Sequence, residues 1–255
     1  MLNYLEAKMK GLFSNHTIPS IENRAMKVLF FDTETSCFYP KNDNLKTLNN
    51  INIFPNIVQF SYIIYEFQQN SGRTCKVVDN IVKIPEKIEI TTECTKVHGI
   101  TKEISIEKGV PIEHIMMNFL HDIENVDFIL GHNLEFDLKM AIIEMERIIA
   151  SSKNIKNVNY YLNKLEFIKK YENYYCTMKE STEICKIVKT NSRGKYFKFP
   201  SLTELHEFCF KSTPKNLHNS LNDVAVGLRC FGYLEFNRDI CEEDEIICNL
   251  LNKLL

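Results

Sequence analysis

The chain has 255 residues, of which 44% are hydrophobic and 25% are charged, and these proportions exclude a disordered or fibrous protein. The formal net charge is −2, so no overall positive field marks nucleic acid or an anionic membrane as a partner. Because the sequence has neither a signal segment nor a run of about 18 apolar residues, we expect a soluble, intracellular protein of the cytoplasm or nucleus, without a membrane partner.

The first part of the chain is predicted to contain an extension and the first strand of a domain. Residues 1–25 have a mixed pattern that ends in a Pro-containing turn, so we expect an N-terminal extension followed by one domain over residues 26–255. The short apolar run from Lys27 to Phe31 closes on Asp32, and its length and composition predict a strand buried on both faces.

Two further strands are predicted to form a hairpin. Residues 57–65 and residues 75–84 are the strand candidates, and the first of them is rich in β-branched and aromatic side chains. The segment 68–72 between them contains the Asn, Ser and Gly that are typical of a turn.

The remainder of the chain alternates between helical and strand patterns. Residues 126–130 predict a buried strand, residues 134–150 an amphipathic helix, and residues 174–176 a brief strand. The other predicted helices cover residues 91–97, 111–123, 159–171, 201–210, 219–236 and 243–254. This order predicts an α/β fold in which a mixed sheet has helices on both faces.

Acidic residues occur where predicted strands end or helices begin. Asp32 and Glu34 alternate by two at the end of the first strand, so both carboxylates point to the same side. Asp137 lies in the first turn of a helix after a buried strand, and His218 and Asp223 open a helix after a loop. Ligands of such sheets collect at the carboxyl ends of the strands, so we expect these residues to meet there.

A cluster of this kind predicts a divalent metal site. Carboxylates that converge without Lys or Arg repel one another unless cations neutralise them. Oxygen ligands suit Mg²⁺ or Mn²⁺, and two such ions about 4 Å apart form the arrangement used for phosphodiester cleavage. A histidine beside them can take the proton of the attacking water.

These segments resemble the three exonuclease motifs of the DnaQ-like, or DEDD, 3′-to-5′ exonucleases. The spacing of the third motif resembles the histidine subclass, DEDDh, whereas the tyrosine subclass needs Tyr where this chain has Asn219. Weaker similarities extend over residues 27–235. The matching segments are Asp32-Thr33-Glu34-Thr35, His132-Asn133 through Asp137, and His218 with Asp223.

The resemblance implies a ribonuclease-H-like, three-layer fold with a five-stranded mixed sheet whose second strand is antiparallel. It also implies an enzyme that releases nucleoside 5′-monophosphates from the 3′ end of a single-stranded nucleic acid, with DNA favoured over RNA. Two Mg²⁺ or Mn²⁺ ions would be the cofactors.

The resemblance assigns roles to individual residues. Asp32, Glu34 and Asp223 would ligate the first ion, and Asp32 would also reach the second. Asp137 would bind through water, and His218 would be the general base. The implied substrate-binding residues are Thr33, Thr35, His98, Asn133 and Phe136.

One further substrate-binding candidate comes from a basic segment, residues 186–199. Lys195 lies in it beside Tyr196 and Phe197. Such a segment could follow a phosphate backbone and stack bases, or it could be an exposed solvated loop.

Several alternatives stay open at this point. An RNA-trimming exoribonuclease or oligoribonuclease would use the same chemistry, because discrimination depends on how the pocket meets the 2′-hydroxyl. A non-catalytic module that binds nucleic acid or a polymerase could share the fold. A proofreading role would need a separate DNA polymerase as partner. His98 could be a packing residue, His132 could hold a loop, and Asn133 could be a plain helix cap.

Overall fold

A five-stranded sheet forms the centre of the protein, for which the computed structural model describes residues 18–22, 24–40 and 51–253. The strands are β1 (Met26–Thr35), β2 (Ile57–Gln68), β3 (Ser71–Ile81), β4 (Phe128–Gly131) and β5 (Tyr174–Cys176), in the spatial order β3-β2-β1-β4-β5. Strand β2 runs antiparallel to both neighbours, whereas β1, β4 and β5 are parallel. The predicted mixed sheet with an antiparallel second strand is therefore confirmed.

Helices cover both faces of the sheet and make the predicted three layers. They are α1 (Thr92–His98), α2 (Lys102–Lys108), α3 (Ile112–Asp122), α4 (Leu134–Ser151), α5 (Ile155–Lys170), α6 (Thr177–Glu180), α7 (Thr182–Cys185), α8 (Leu202–Phe210), α9 (Ser220–Phe236) and α10 (Glu245–Leu251). None of the helices in the described ranges is both long and apolar enough to cross a membrane.

Strand β1 separates two hydrophobic cores because its side chains alternate. Leu29 and Phe31 face the core formed with α3, α4 and α5. Val28 and Phe30 face the core formed with α8, α9 and α10. Side chains farther along the strand continue this alternation, which decides the face that each polar residue occupies.

Some boundaries predicted from the sequence were wrong. Strand β1 does not close at Asp32 but continues to Thr35, because β2 goes on pairing with it up to Ile57. The hairpin turn is tighter than predicted, and β3 starts at Ser71 because an edge strand with mostly exposed side chains lacks a clear apolar pattern.

The sequence reading also missed several short elements. Helices α2, α6 and α7 were not predicted, and the last helix is shorter than the predicted 243–254. Residues 186–199 contain a hairpin of two strands, β6 (Val188–Asn191) and β7 (Gly194–Phe197), rather than a loop. Most of the predicted extension, residues 1–17, lies outside the described residues; Ile18 and Ile21, which follow, pack against the α9 side of the sheet.

Helix α9 lies unusually close to β1 at Gly227. A Cβ atom placed on Gly227 would be 2.2 Å from Cζ of the buried Phe30. We expect Gly227→Ala to lower the free energy of unfolding by a net of about 1–2 kcal/mol, because overpacking in the upper part of its usual range, about 2–3 kcal/mol for so short a contact, outweighs the gain in helix propensity of about 1 kcal/mol. Urea denaturation measures this change. Phe30→Leu should restore part of the loss in the double variant, and an Ala variant as stable as the wild type would contradict the close packing.

Candidate active site

The predicted acids of β1 lie on the face of the sheet that α9 covers. Asp32 and Glu34 continue the series of Val28 and Phe30, and their cross-strand partners on β2 are Ser61 and Gln59. Asp32 and Glu34 are both partly buried. The predicted common orientation of the two carboxylates follows from this alternation.

The first turn of α9 is held on this surface by hydrogen bonds from Ser220. The Ser220 hydroxyl donates to the main-chain oxygen of Asp32 at 2.6 Å, and its backbone N–H donates to Oε1 of Gln59 at 3.2 Å. Gln59 Nε2 in turn donates to Asp79 at 2.8 Å. Ser220 and Gln59 are buried, so the start of α9 is placed by both its backbone and its side chain.

This attachment brings Asp223 and His218 to Glu34. Each of the three residues offers a ligand atom, and these atoms lie within 4.8 Å of one another. The backbone N–H of His218 donates to Oδ1 of Asp223 at 3.1 Å, which closes the loop onto the helix. His218 has φ of 68° and an exposed side chain, so its ring stands at the open side of the cluster.

Asp137 reaches the same strand from the opposite face of the sheet. It lies in the first turn of α4 and is 2% exposed. Its Oδ1 accepts from the backbone N–H of Thr33 at 3.0 Å and from the Thr33 hydroxyl at 2.8 Å. These bonds hold the carboxylate against β1, with Asp32 as the neighbour of Thr33 in the strand.

The four carboxylates form a concentration of negative charge at the end of β1. Burial, together with the neighbouring carboxylates, raises the pKa of Glu34 to about 8. Burial is also the main cause that raises the pKa of Asp137 and of Asp223 to about 7, and that of Asp32 well above its ordinary value. Among the ion pairs of the described residues, none joins these four to Lys or Arg.

This donor set fits a divalent cation. Carboxylate oxygens are the ligands that Mg²⁺ and Mn²⁺ prefer, and a cation is the group that would lower the raised pKa values. Glu34, Asp223 and the ring of His218 are close enough to share one ion. Asp32 and Asp137 are close enough to each other for mutual repulsion to raise the pKa of Asp32.

Two of the predicted substrate-binding residues, His98 and Thr35, make hydrogen bonds to backbone groups within the protein. Nδ1 of His98 accepts from the backbone N–H of Ile100 at 3.0 Å, so its Nε2 carries the proton and donates to the Thr35 carbonyl at 3.2 Å. The Thr35 hydroxyl donates to the Cys37 carbonyl at 3.0 Å. Burial, with a smaller effect of His218, lowers the pKa of His98. These contacts support the packing interpretation of His98.

The remaining substrate-binding candidates divide into two groups. Asn133 and Phe136 lie at the start of α4, near Asp137; Asn133 takes a left-handed backbone with φ of 67°, and its side chain makes no capping bond. Asn133 therefore occupies the N-cap position of α4 without the side-chain hydrogen bond that a capping residue usually makes. Lys195 lies on the exposed β6–β7 hairpin and is not part of the carboxylate cluster.

His132 holds a loop, as one interpretation of the sequence expected. Its Nδ1 is 2.9 Å from the Thr177 hydroxyl and its Nε2 is 3.2 Å from the Pro200 carbonyl. Burial lowers the pKa of His132 to about 4, so the ring is neutral near pH 7. The bonds connect the end of β4 to the chain segment that leads into α8.

Sequence reasoning missed two positioning residues, Gln59 and Ser220. Gln59 is a polar residue within the otherwise apolar start of β2, and this interruption was the available signal. Ser220 gave no signal, because a serine in the first turn of a helix is common.

Comparisons with known proteins give one family match and a set of similar structures. The family described as RNase_T, exonuclease, matches residues 29–231. A sequence comparison with curated proteins gives no match. Similar solved structures include an E. coli exonuclease I bound to a dT13 oligonucleotide (14% identity, TM-score 0.51) and a zinc-bound form of the E. coli exonuclease I–ssDNA complex (15%, 0.52). A third is an exonuclease I from Methylocaldum szegediense (13%, 0.50).

These alignments cover 84% of this chain but only 41–42% of the exonuclease I chains, so this chain spans less than half the length of those proteins. At such identities the likeness shows the fold alone. It agrees with the five-stranded mixed sheet and its flanking helices.

Proposed function

The chain belongs to the RNase_T exonuclease family, within the DnaQ-like superfamily, and on this premise we propose that it is a metal-dependent 3′-to-5′ exonuclease that releases nucleoside 5′-monophosphates. The family match runs from before Asp32 to beyond Asp223 and so includes all three acidic segments. The observation that carries the proposal is the convergence of four carboxylates and His218 with no Lys or Arg paired to them among the described residues.

The proposed ligands are the four carboxylates. Asp32, Glu34 and Asp223 would hold one Mg²⁺ or Mn²⁺, Asp32 would also hold a second, and Asp137 would bind through water. Two such ions would supply an activated water and charge stabilisation at the leaving oxygen. The hydrogen bonds of Thr33 and Ser220 support this assignment, because they keep Asp137 and the Asp32 main chain in place before any cation binds.

His218 is the proposed general base. Its ring is exposed at the open side of the cluster, where an attacking water can enter, and one of its nitrogens is close to oxygens of Glu34 and Asp223. The left-handed backbone of His218 and its N–H bond to Asp223 orient the residue toward the acids. The ring accepts the proton of the water that attacks the phosphorus of the terminal phosphodiester, and the bond from that phosphorus to the 3′ oxygen of the shortened strand breaks.

The proposed substrate is the 3′ end of a single strand, with DNA favoured over RNA. Support comes from the similar exonuclease I structures whose names include single-stranded DNA or a dT13 oligonucleotide. The proposed contacts of the terminal nucleotide are Thr33 and Thr35 on β1 and Asn133 and Phe136 at the start of α4, whereas His98 is assigned to packing. A separate DNA polymerase as partner stays a prediction.

The test is a gel assay of the purified protein on 5′-labelled DNA and RNA strands of one sequence, with Mg²⁺, Mn²⁺ or EDTA. We expect a ladder that shortens from the 3′ end, requires a divalent ion and forms faster on DNA. Faster cleavage of RNA would instead support the RNA-trimming alternative. Binding in a gel shift without shortening in either metal would contradict the proposed activity and leave a non-catalytic module.

A further inference from the structure

The β6–β7 hairpin projects from the protein with both faces uncovered. All eight strand residues, Val188–Asn191 and Gly194–Phe197, are exposed. An isolated two-stranded hairpin is at best marginally stable in water, so two bare faces indicate a surface that is completed by a partner. We call residues 186–199 the basic hairpin.

The charge of the basic hairpin is of one sign. It contains no Asp or Glu, and only Lys198 is paired with an acid, Glu204, among the ion pairs of the described residues. The other basic residues of the segment are Lys186, Lys189, Arg193 and Lys195. In a chain with a net charge of −2, this local concentration of positive charge favours a polyanionic partner.

Aromatic side chains alternate with the lysines on the two faces. The register pairs Lys189 with Tyr196 and Thr190 with Lys195, so Lys189 and Tyr196 share one face while Lys195 and Phe197 share the other. Tyr196 is 45% exposed and Phe197 is 39% exposed. Lysines beside exposed rings are the combination that binds single-stranded nucleic acid, because phosphates meet the charges and bases stack on the rings.

The base of the hairpin is attached close to the carboxylates. The chain returns from β7 to Pro200, whose carbonyl is 3.2 Å from Nε2 of His132. His132 directly follows β4, and Asp137 lies in the first turn of the helix that begins two residues later. The hairpin is therefore attached at the carboxyl ends of the parallel strands, where the proposed metal ligands also lie.

We propose that the basic hairpin binds the single strand on the 5′ side of the terminal nucleotide, with Lys189 and Lys195 at phosphates and Tyr196 and Phe197 against bases. The inference deepens the proposed function and rests on it for the direction of the strand. The basic hairpin would thus contact nucleotides of the strand other than the one that is removed. Single-stranded nucleic acid is the proposed partner, because an acidic protein segment would supply charge but no bases to stack on Tyr196 and Phe197.

Binding is tested separately from hydrolysis, by fluorescence anisotropy of a labelled 20-nucleotide DNA strand in EDTA at 50 mM salt. We expect the double variant Lys189→Ala/Lys195→Ala to raise Kd by about 10-fold or more and to reduce the slope of log K against log salt by about 1.4, which is about 0.7 for each lost phosphate contact. Tyr196→Ala should raise Kd by about 5-fold or more through lost stacking. Lys189→Arg/Lys195→Arg should restore the binding.

The matched control is Lys170→Ala. Lys170 is exposed at the end of α5, next to Tyr171, whose hydroxyl donates to the Asp127 carbonyl at the opposite end of the strands. This control should bind the strand with the wild-type Kd. In hydrolysis assays with Mg²⁺, the wild type should have a lower KM for the 20-nucleotide strand than for a dinucleotide. This difference in KM should be smaller in the hairpin variants and unchanged in the control.

The outcomes separate the inference from the proposed function. Weaker binding by the hairpin variants supports the strand-binding surface even if no strand is hydrolysed. The lack of hydrolysis would contradict only the proposed exonuclease activity. Hydrolysis with wild-type Kd in every hairpin variant would overturn the inference and leave the exonuclease standing. A wild-type protein that does not bind the strand at 50 mM salt would overturn the inference as well.

Discussion

Replacing Asp223 with Asn is expected to reduce the rate of strand hydrolysis by about 10³-fold without unfolding the protein. Asn keeps the shape of the side chain and an oxygen that can accept the His218 N–H, so the start of α9 stays in place. It lacks the negative charge that a divalent cation requires at this position. At about 1.4 kcal/mol for each tenfold change, this corresponds to about 4 kcal/mol of lost transition-state stabilisation.

The same substitution is expected to stabilise the metal-free fold at pH 8. In the folded protein, burial raises the pKa of Asp223 to about 7, above its ordinary value near 4. Between these values the folded state holds a proton that the unfolded state has released, so stability falls as the pH rises from about 4 to about 7. The amide introduced by Asp223→Asn carries no charge. It therefore also removes the electrostatic repulsion of Glu34, whose pKa Asp223 helps to raise.

Two measurements on one preparation check this prediction. Hydrolysis is followed with Mg²⁺, and thermal unfolding is followed in EDTA at pH 4 and pH 8. The variant should melt above the wild type at pH 8, and the difference should shrink at pH 4. Glu245→Gln, which changes an exposed acid in the first turn of α10, is the control and should alter neither result. A variant that hydrolyses DNA at the wild-type rate would remove Asp223 from the proposed site.

Replacing His218 with Gly is expected to reduce turnover by about 10²- to 10⁴-fold, the range for loss of a general base. Gly is the appropriate substitution because His218 has φ of 68°, where most residues with a Cβ atom are strained and Gly is not. The backbone N–H that donates to Asp223 is retained. The variant therefore removes the ring while keeping the loop and the acids in their arrangement.

Chemical rescue distinguishes a proton acceptor from a structural residue. Imidazole added to His218→Gly should restore part of the turnover, whereas it should have no effect on Asp223→Asn. His218→Asn, which also tolerates the left-handed backbone but cannot act as the base, should be as slow as the Gly variant. Wild-type turnover in His218→Gly would exclude the ring from proton transfer.

Local sequence patterns were enough to predict most of the fold and the strands and helices on which the site residues lie. Apolar runs and helical periodicity reflect which side of an element is buried, and that property belongs to the element itself. The strands around Phe30 and Leu130 and the helix that contains Asp137 were found for this reason. The resemblance to DnaQ-like exonucleases then selected five residues, and the structure places them around the end of β1.

Elements whose side chains are mostly exposed were predicted less completely. Strand β3, at the edge of the sheet, was predicted with the wrong bounds, and the two strands of the basic hairpin, which are exposed on both faces, were not predicted. Such strands depend on backbone hydrogen bonds to a neighbouring strand. Their sequences show no alternation of apolar and polar side chains from which the strands could be predicted. The continuation of β1 to Thr35 has the same origin, since pairing with β2 outweighs the polar character of Asp32 and Glu34.

The sequence by itself selected the residues that are proposed to carry the chemistry, and it determined that Asp32 and Glu34 share a side of a strand and that Asp137 and Asp223 begin helices. Only the tertiary structure decided how these segments meet: Asp137 reaches Thr33 from one face, while Ser220, 161 residues from Gln59, attaches α9 to the other. The physical reason is that burial patterns are local, whereas hydrogen bonds between distant segments form only after both cores have packed around β1.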